Sequence, residues 1–436
     1  MIRLRSAALA SALLLAGLSL PSSAAARLPV ARPTVTPIPT GVHGRPFMGL
    51  LSVPKGFVQE EYLVSGTAHP YSGPSVFAQH PVSGTDQLPS LPYTTRIVVV
   101  RPADPRRANG AAVVTWHNVT FGHDIGEWFD VGTEMVAQGW TYVDASVQLA
   151  SEPGLKAFDP VRYATVQLPG DAYSYDIYSQ VAQALRHGDG NHGRPLRHVL
   201  ALGASQSGFA MDQYLADVQP RYEHVYDGFV VAVANGPDHH TDVPVLRVLS
   251  EDEIDGSSSS PDARTYRQWE VAGSAHGNKD DFTYIGAQER RDLGADLVNP
   301  LAGDNGPFGT SSCQINRFRG GESYDGALAA MLRWVTTGTP PRVQPRVRLD
   351  ASGGIARDSV GNAVGGIRYP AMAVPKAAYN RTGDCVALDG RTEAFSALRL
   401  HQLYPTAADY QRKLAAAVRA SVAAGVLTPT DAALVR

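Results

Sequence analysis

The sequence predicts an α/β fold in which a mostly parallel central sheet carries helices on both faces. Two observations lead to this prediction. Short apolar runs alternate with segments of helical spacing, and one run ends in a small-residue turn that leads directly into a helix. Strands are predicted at residues 57–64, 94–100, 111–116, 140–145, 199–202, 229–234, 244–249 and 268–272.

Local composition supports each element in turn. Residues 96–100 are rich in β-branched side chains and precede a turn at 102–110, and residues 111–116 form a compact apolar run typical of a buried strand. In the second helix, Ile177, Val181 and Leu185 recur every fourth residue. Helices are predicted at residues 127–138, 176–185 and 209–218.

Both ends of the chain extend this core. Residues 27–45, rich in proline and polar residues, predict an extended lead-in, and the glycine-rich segment 354–375 is expected to lie on the surface. A helix at residues 404–424 is stopped by Gly425, and a last helix begins after Thr428, which can cap it. No clean linker separates these parts. We therefore predict one domain at 27–436, with a catalytic core at about 95–340 and a C-terminal extension at about 341–436.

The first 26 residues predict a secretory signal peptide. Arg3 and Arg5 give a positive start, the apolar run that follows is too short to span a membrane, and residues 24–26 are small alanines suited to cleavage. A retained signal anchor is the alternative. We expect the mature chain to be secreted or periplasmic, without membrane anchoring after cleavage.

Composition restricts the partners of the chain. Apolar residues make up 44% of it and the net charge is −3, which gives no reason to expect nucleic acid as a partner. Nothing in the sequence indicates an oligomeric state.

Cys313 and Cys385 are the two cysteines, and after export they predict one disulfide, two separate thiols being the alternative. His239 and His240 fit a surface turn better than a metal site, so no metal is expected.

The strand at 199–202 leads into a candidate nucleophile. Ser205 follows Gly203 by two residues and precedes Ser207 and Gly208 before a helix, which is the strand–turn–helix context of a nucleophile elbow in α/β-hydrolases. Ser207 stands where a second glycine is usual, so it remains a weaker rival. The start of a helix at Ser205 would also favour an oxyanion.

A general base and an acid follow in the chain order Ser, acid, His that this fold uses. His276 lies in a small-residue loop just after the strand at 268–272 and is the predicted base. An acidic cluster follows the strand at 244–249. Its member Glu253 is the predicted acid and Glu251 is the alternative.

The oxyanion hole should combine two backbone amides. One is the amide of Gln206, directly after the nucleophile. The other should come from the loop that follows the buried strand at 111–116, where Asn118 and Val119 are the candidates. Asn118 could equally serve to form the turn.

Several longer stretches resemble the bacterial proteins of the tenth alpha/beta-hydrolase domain family. They are residues 56–68 (GFVQEEYLVSGTA), 116–119 (WHNV), 170–177 (GDAYSYDI), 205–208 (SQSG), 269–276 (WEVAGSAH) and parts of the tail near 361–366 and 425–427. The resemblance covers nearly all of the mature chain and implies the hydrolase fold and a Ser-acid-His site. The family usually has Asp where this chain has Glu253, which leaves the acid open between Glu253 and Glu251.

We therefore expect a secreted serine hydrolase that cleaves small carboxylic esters through an acyl-enzyme, with a triad of Ser205, Glu253 and His276 and without a cofactor. Amide or thioester hydrolysis would use the same groups. The alternative from another class is a catalytically silent hydrolase fold used for binding.

Overall fold

The computed structural model describes residues 27–71, 88–236, 242–256, 261–295, 297, 315–380 and 389–435. The predicted signal peptide, both cysteines, His239 and His240 lie outside these residues. The expected export signal and disulfide therefore stay predictions. Within the described ranges, no group of acidic, histidine or cysteine side chains could hold a metal ion, and no helix has the length and apolar character to cross a membrane.

The described part of the chain contains one large sheet and, towards the C-terminus, a separate two-stranded ribbon. The strands are β1 (Thr34–Pro37), β2 (Phe57–Ala68), β3 (Leu91–Pro102), β4 (Ala111–Trp116), β5 (Thr141–Ala145), β6 (His198–Ala204), β7 (Gly228–Ala232), β8 (Val245–Leu249), β9 (Tyr266–Glu270), β10 (Ala377–Asn380) and β11 (Arg391–Ala394). The sheet order is β1-β2-β3-β5-β4-β6-β7-β8-β9. Pairing is antiparallel from β1 to β5 and parallel from β5 to β9.

Helices connect the strands and cover both faces of the sheet. They are α1 (Trp128–Gln138), α2 (Ser151–Phe158), α3 (Ser174–Arg186), α4 (Gln206–Gln213), α5 (Lys279–Asp292), α6 (Gly321–Thr337), α7 (Pro370–Ala373), α8 (Ala397–Leu403), α9 (Ala407–Ala424) and α10 (Pro429–Leu434). Strand β4 illustrates why two faces need cover. Ala112 and Val114 belong to one apolar cluster with residues of α3, whereas Ala111 and Val113 belong to another with residues of α1 and α6.

The C-terminal helices largely agree with the sequence. Thr428 caps α10 as predicted, because its hydroxyl accepts the Asp431 N–H at 3.0 Å. The helix predicted at 404–424 begins later, at Ala407, because Thr406 is its N-cap and Tyr404 ends α8.

The glycine-rich segment 354–375 does not lie on the surface as predicted. Ala363, Ile367 and Tyr369 are buried in the apolar cluster beneath α6, and Ile367 accepts a backbone hydrogen bond from Ala272 at 3.1 Å. Glycine serves close packing here. A Cβ on Gly366 would lie 2.6 Å from Val347 Cγ2 and 2.9 Å from the Glu270 carbonyl oxygen.

Parallel strands end at the same edge of a sheet, so the loops that leave their carboxyl ends meet there. In this fold, the loops after β4, β6, β7, β8 and β9 share that edge. Each sequence-predicted site residue lies in one of these loops or at the start of α4.

Candidate active site

Ser205 occupies a strained turn between β6 and α4. Its backbone φ of 55° and ψ of −119° are rare for a residue with a side chain. The turn is held by hydrogen bonds from Ser205 N–H to the Ala232 carbonyl oxygen and from Phe209 N–H to the Ser205 carbonyl oxygen, each 3.0 Å long. This geometry is that of a nucleophile elbow, which presents the serine hydroxyl beyond the end of the strand.

Small neighbours make the turn possible. A Cβ on Gly203 would lie 2.6 Å from Met211 Cγ and closer still to the Ser207 carbonyl oxygen. Ser207 is fully buried, and its hydroxyl donates to the Ala204 carbonyl oxygen and accepts from the Ala204 N–H, both at 2.9 Å. The rival serine therefore braces the turn, and Ser205 alone of the two lines the adjoining cavity.

His276 lies between Ser205 and Glu253. Its Nε2 is 2.7 Å from Ser205 Oγ, and its Nδ1 is 2.6 Å from Glu253 Oε1. With His276 neutral, the serine hydroxyl donates to Nε2 and the Nδ1–H donates to the carboxylate. Glu253 Oε2 in turn accepts from the Ser250 N–H at 2.9 Å and the Ser250 hydroxyl at 2.6 Å, which fixes the carboxylate after β8.

Glu251, the alternative acid, points elsewhere. It is fully buried, and its carboxylate accepts from Gly273 N–H at 2.6 Å and pairs with Arg357 at 2.5 Å. It therefore joins the loops after β8 and β9 to the C-terminal extension. Asp252 supports the base by another route, since its Oδ2 accepts the backbone N–H of His276 at 2.8 Å.

The electrostatic balance at His276 favours its charged form. Burial alone would lower the pKa of the imidazole, but the hydrogen bond and the charge of Glu253 outweigh it and raise the pKa above its usual value. Burial would likewise raise the pKa of Glu253, yet the bonds from His276 and Ser250 lower it. Glu253 thus stays a carboxylate that can stabilise an imidazolium.

The two candidate oxyanion segments face each other. Gln206 is the first residue of α4, so its N–H has no partner within the helix. The Val119 N–H donates to the Gln206 side-chain oxygen at 3.2 Å. The Asn118 N–H, by contrast, donates to the Ile125 carbonyl oxygen at 3.0 Å, and its side chain donates to the Ala204 carbonyl oxygen at 3.2 Å. Asn118 therefore shapes the turn, and the amides of Val119 and Gln206 are the candidate donors.

A buried charged network lies under this turn. The His117 ring is about equally far from two carboxylates, 3.5 Å from Asp124 and 3.5 Å from Asp144, and its Nδ1 is 3.0 Å from the Ser146 hydroxyl. Burial would lower the pKa of His117, but these two carboxylates raise it to about 9. Arg96 also pairs with Asp124 at 2.9 Å, so the base of the turn is fixed by charge-assisted bonds.

A cavity of about 170 Å³ opens beside Ser205 and His276. Pockets for drug-sized ligands measure roughly 300–1,000 Å³, so this smaller cavity suits a short ligand. Its lining is mostly apolar, but it also includes four carboxyl groups that we call the acidic wall. The apolar lining includes Phe121, Ile125, Phe129, Val233, Phe282 and Ile285, and the acidic wall is Glu127, Asp130, Asp281 and Asp389.

Burial is the main cause of unusual ionisation in the acidic wall. It raises the pKa of Glu127 to about 8, that of Asp281 to about 7 and that of Asp389 to about 6. The pKa of Asp130 lies well above its usual value because burial acts together with the nearby charges of Asp281 and Glu127.

A family model described as "Alpha/beta hydrolase domain" matches residues 34–436 of the chain. The chain belongs to this alpha/beta hydrolase family. The match covers the described sheet, the elbow and the C-terminal helices, in agreement with the resemblance noted in the sequence. Family membership supports a hydrolase, and it leaves the bond that is cleaved to be derived from the site.

Solved hydrolase-fold structures resemble this family member only distantly. A structure from a study of two prolyl endopeptidases is 11% identical in sequence, with a TM-score of 0.30, over 57% of this chain and 40% of the other. A putative dienelactone hydrolase from Klebsiella pneumoniae is 14% identical in sequence, with a TM-score of 0.27, over 54% of this chain and 98% of the other. The esterase Est22 is 10% identical in sequence, with a TM-score of 0.31, over 56% of this chain and 79% of the other. Among curated proteins, none matches significantly.

Sequence reasoning did not find the acidic wall of this hydrolase-family site. Glu127 and Asp130 come just before and within the first turn of α1, and Asp281 lies in the first turn of α5, where acidic residues are ordinary helix-start features. A signal was nonetheless present. Both helices begin shortly after loops that leave the active edge of the sheet, downstream of Val119 and His276 respectively. Asp389 belongs to the C-terminal extension, and no sequence pattern predicts that it reaches this cavity.

Proposed function

We propose that this chain is a serine hydrolase that cleaves short carboxylic esters. The observation that carries the proposal is the continuous hydrogen-bonded chain Ser205–His276–Glu253, with distances of 2.7 and 2.6 Å. These distances lie within the range required for proton transfer between positioned groups. The small cavity beside the serine supports a short substrate.

In the proposed reaction, Ser205 Oγ attacks the ester carbonyl while His276 Nε2 accepts the hydroxyl proton. The amides of Val119 and Gln206 stabilise the negative oxygen of the tetrahedral intermediate. When the intermediate collapses, the carbonyl–alcohol bond breaks and His276 returns its proton to the departing alcohol. Water then repeats the attack on the acyl-enzyme, with His276 as base, and releases the acid and free Ser205.

Glu253 does not touch the substrate in this scheme. It holds the Nδ1–H of His276 and stabilises the imidazolium that forms in each step. No step calls for a cofactor. Amides and thioesters could enter the same sequence, and a short ester is favoured over an amide because an alcohol departs more readily than an amine.

A catalytically silent binding protein is the remaining alternative. Labelling with a fluorophosphonate probe decides between them, because the probe reacts only with an activated serine. We expect wild type to be labelled on Ser205 and to hydrolyse short esters, and Ser205→Ala to lose both. Ser207→Ala is the matched control and should still label, although loss of its two turn hydrogen bonds will lower stability by about 1–2 kcal/mol.

Peptide mapping by mass spectrometry locates the adduct. An adduct on Ser207, or an unlabelled wild type that is folded by circular dichroism, would contradict the proposal. Export to the periplasm or medium through residues 1–26 belongs to the same proposal, and N-terminal sequencing of the exported chain tests it.

A further inference from the structure

Three carboxyl groups in the cavity beside Ser205 lack the partners that buried charges normally have. Glu127, Asp130 and Asp389 are 4%, 7% and 2% exposed. Among the described residues, no hydrogen bond or ion pair engages the carboxylates of Glu127 and Asp130, and Asp389 Oδ2 is buried without a hydrogen-bond partner. Elsewhere in the described residues, the buried carboxylates of Glu61 and Asp124 are paired with Arg96, as buried charges usually are.

Within the described ranges, the charges around these acids do not compensate them. The charged groups that act on Glu127 are the carboxylates of Asp144 on β5 and Asp281 on α5 and the rings of His117 and His276. Asp130 faces Asp280, Asp281 and, on α6, Asp325. Asp389 faces His276. The acidic wall therefore has a deficit of positive charge that a ligand in the cavity could supply.

A metal ion does not suit this site, because within the described residues no three such groups lie close enough to hold one. A primary ammonium group does suit it. It carries one positive charge and three N–H donors, and its hydrogen bonds are longer than metal–oxygen bonds. The apolar lining that includes Phe282 and Ile285 would contact the short carbon chain that bears the amine.

We propose that the substrates of this site are short esters that carry a protonated primary amine, which the acidic wall binds. This inference rests on the proposed ester hydrolysis and names its substrate class. The ammonium group binds to the acidic wall, and the ester carbonyl lies at Ser205. The positive charge of the bound ammonium group takes the place of protons that would otherwise neutralise the carboxyl groups.

Matched ester pairs test the proposal near neutral pH. On the acyl side, β-alanine ethyl ester is compared with ethyl butyrate, which has a methyl group in place of the ammonium. On the alcohol side, 3-aminopropyl acetate is compared with butyl acetate. We expect kcat/KM to favour the amino ester in one of the two pairs by on the order of tenfold or more, and that pair identifies which part of the substrate occupies the cavity.

Variants separate recognition from intrinsic ester reactivity. Glu127→Gln and Asp130→Asn should each lower the amino-to-neutral ratio of kcat/KM by about tenfold, mainly through KM. Glu393→Gln removes the same charge from an exposed position on β11, outside the cavity lining, and should leave the ratio unchanged. A ratio that is the same in wild type and in the Glu127 and Asp130 variants overturns the inference while leaving ester hydrolysis intact.

Binding to the Ser205→Ala variant supplies a test that does not depend on turnover. Calorimetry with the preferred amino ester should detect binding that is weaker by about tenfold after a further Glu127→Gln substitution. Equal affinity for the neutral partner overturns the inference even if wild type hydrolyses neither ester. Fluorophosphonate labelling reports on the serine separately, so the two failures can be told apart.

Discussion

Three consecutive carboxylates after β8 bind three different partners. Glu251 accepts from Gly273 N–H and pairs with Arg357, Asp252 accepts the His276 backbone N–H, and Glu253 accepts from the imidazole of His276. Glu251 and Asp252 thus support the surrounding loops, whereas the next residue, Glu253, orients the His276 ring. Substitutions at the two glutamates should therefore have different readouts.

We predict that Glu253→Gln lowers turnover by on the order of 10⁴-fold, as the loss of the orienting acid does in other triads. Glu251→Gln should act mainly on stability, because it replaces a fully buried carboxylate that pairs with the partly exposed Arg357 by a neutral amide. Steady-state kinetics on one short ester and thermal unfolding of both variants check this. Near-normal turnover in Glu253→Gln with collapse in Glu251→Gln would assign the acid to Glu251.

The pH profile tests the same bond. The base must be neutral, and Glu253 raises the pKa of His276, so kcat/KM on a neutral ester should rise with pH through an apparent pKa above the usual histidine value. In Glu253→Gln the raising charge is gone, and this apparent pKa should fall. An unchanged profile would mean that another group controls the ascending limb.

At the scale of elements, the approach of α4 to β6 depends on the absence of a side chain. Gly203 ends the straight part of β6, and the first turn of α4 passes directly over it, with Ser207 and Met211 as neighbours. Gly208 also lies close to the end of β7, since its Cβ would be 2.9 Å from the Ala232 carbonyl oxygen and 2.8 Å from the Ala234 Cβ just beyond the strand. The position of Ser205 thus follows from how closely helix and sheet pack.

We predict that Gly203→Ala destabilises the fold by about 1–3 kcal/mol and reduces fluorophosphonate labelling, because the new methyl group must push the first turn of α4 away. Gly154→Ala in α2 is the control, since its Cβ would make an ordinary 3.4 Å contact with Phe47 and favour the helix by up to about 1 kcal/mol. Chemical denaturation measures both. Full stability and labelling in Gly203→Ala would contradict the packing argument.

Across the described part of the whole molecule, buried acids outnumber the buried bases that could pair with them near α1, α5 and α6. Burial, the largest cause in each case, raises the pKa of Glu127 to about 8, that of Asp281 to about 7 and that of Asp325 to about 9. These groups keep a proton in the folded state that they lose in the unfolded chain. His117, whose pKa is raised to about 9, acts in the same sense.

Stability should therefore fall as pH rises from about 5 to about 9. Over this range the folded state binds more protons than the unfolded state, so the free energy of unfolding decreases with pH, by about 2 kcal/mol or more. Thermal unfolding across this range measures the slope, and Glu127→Gln should make it shallower. Stability that rises towards pH 9 would contradict these pKa shifts.

The predicted disulfide would act on the unfolded chain. Cys313 and Cys385 are 72 positions apart (385 − 313 = 72), and closing such a loop contributes about 4 kcal/mol in the chain-entropy model. We predict that non-reducing peptide mapping of the exported protein recovers the linked pair and that reduction lowers the melting temperature. Recovery of both cysteines as free thiols would contradict this.

Much of this architecture could be predicted because strand order and chain order are linked. Buried apolar runs located the parallel strands, and the loops after them held Ser205, Glu253 and His276. Which glutamate faces the imidazole depends on the local turn after β8, which a single sequence does not specify. Asp389 and the buried segment around Ile367 depend on how the C-terminal extension folds back, which periodicity does not encode.

The hydrogen bond from Val119 N–H to the side-chain oxygen of Gln206 has a consequence for rate. This amide donates to a neutral carbonyl oxygen, so in the proposed reaction an ester carbonyl that displaces the glutamine oxygen exchanges one equivalent bond for another. The exchange becomes favourable only when the incoming oxygen acquires negative charge. The Val119 N–H therefore binds the ester carbonyl of the ground state no more strongly than it binds the glutamine oxygen, but it binds the charged oxygen of the transition state more strongly. This donor should thus contribute to kcat more than to KM.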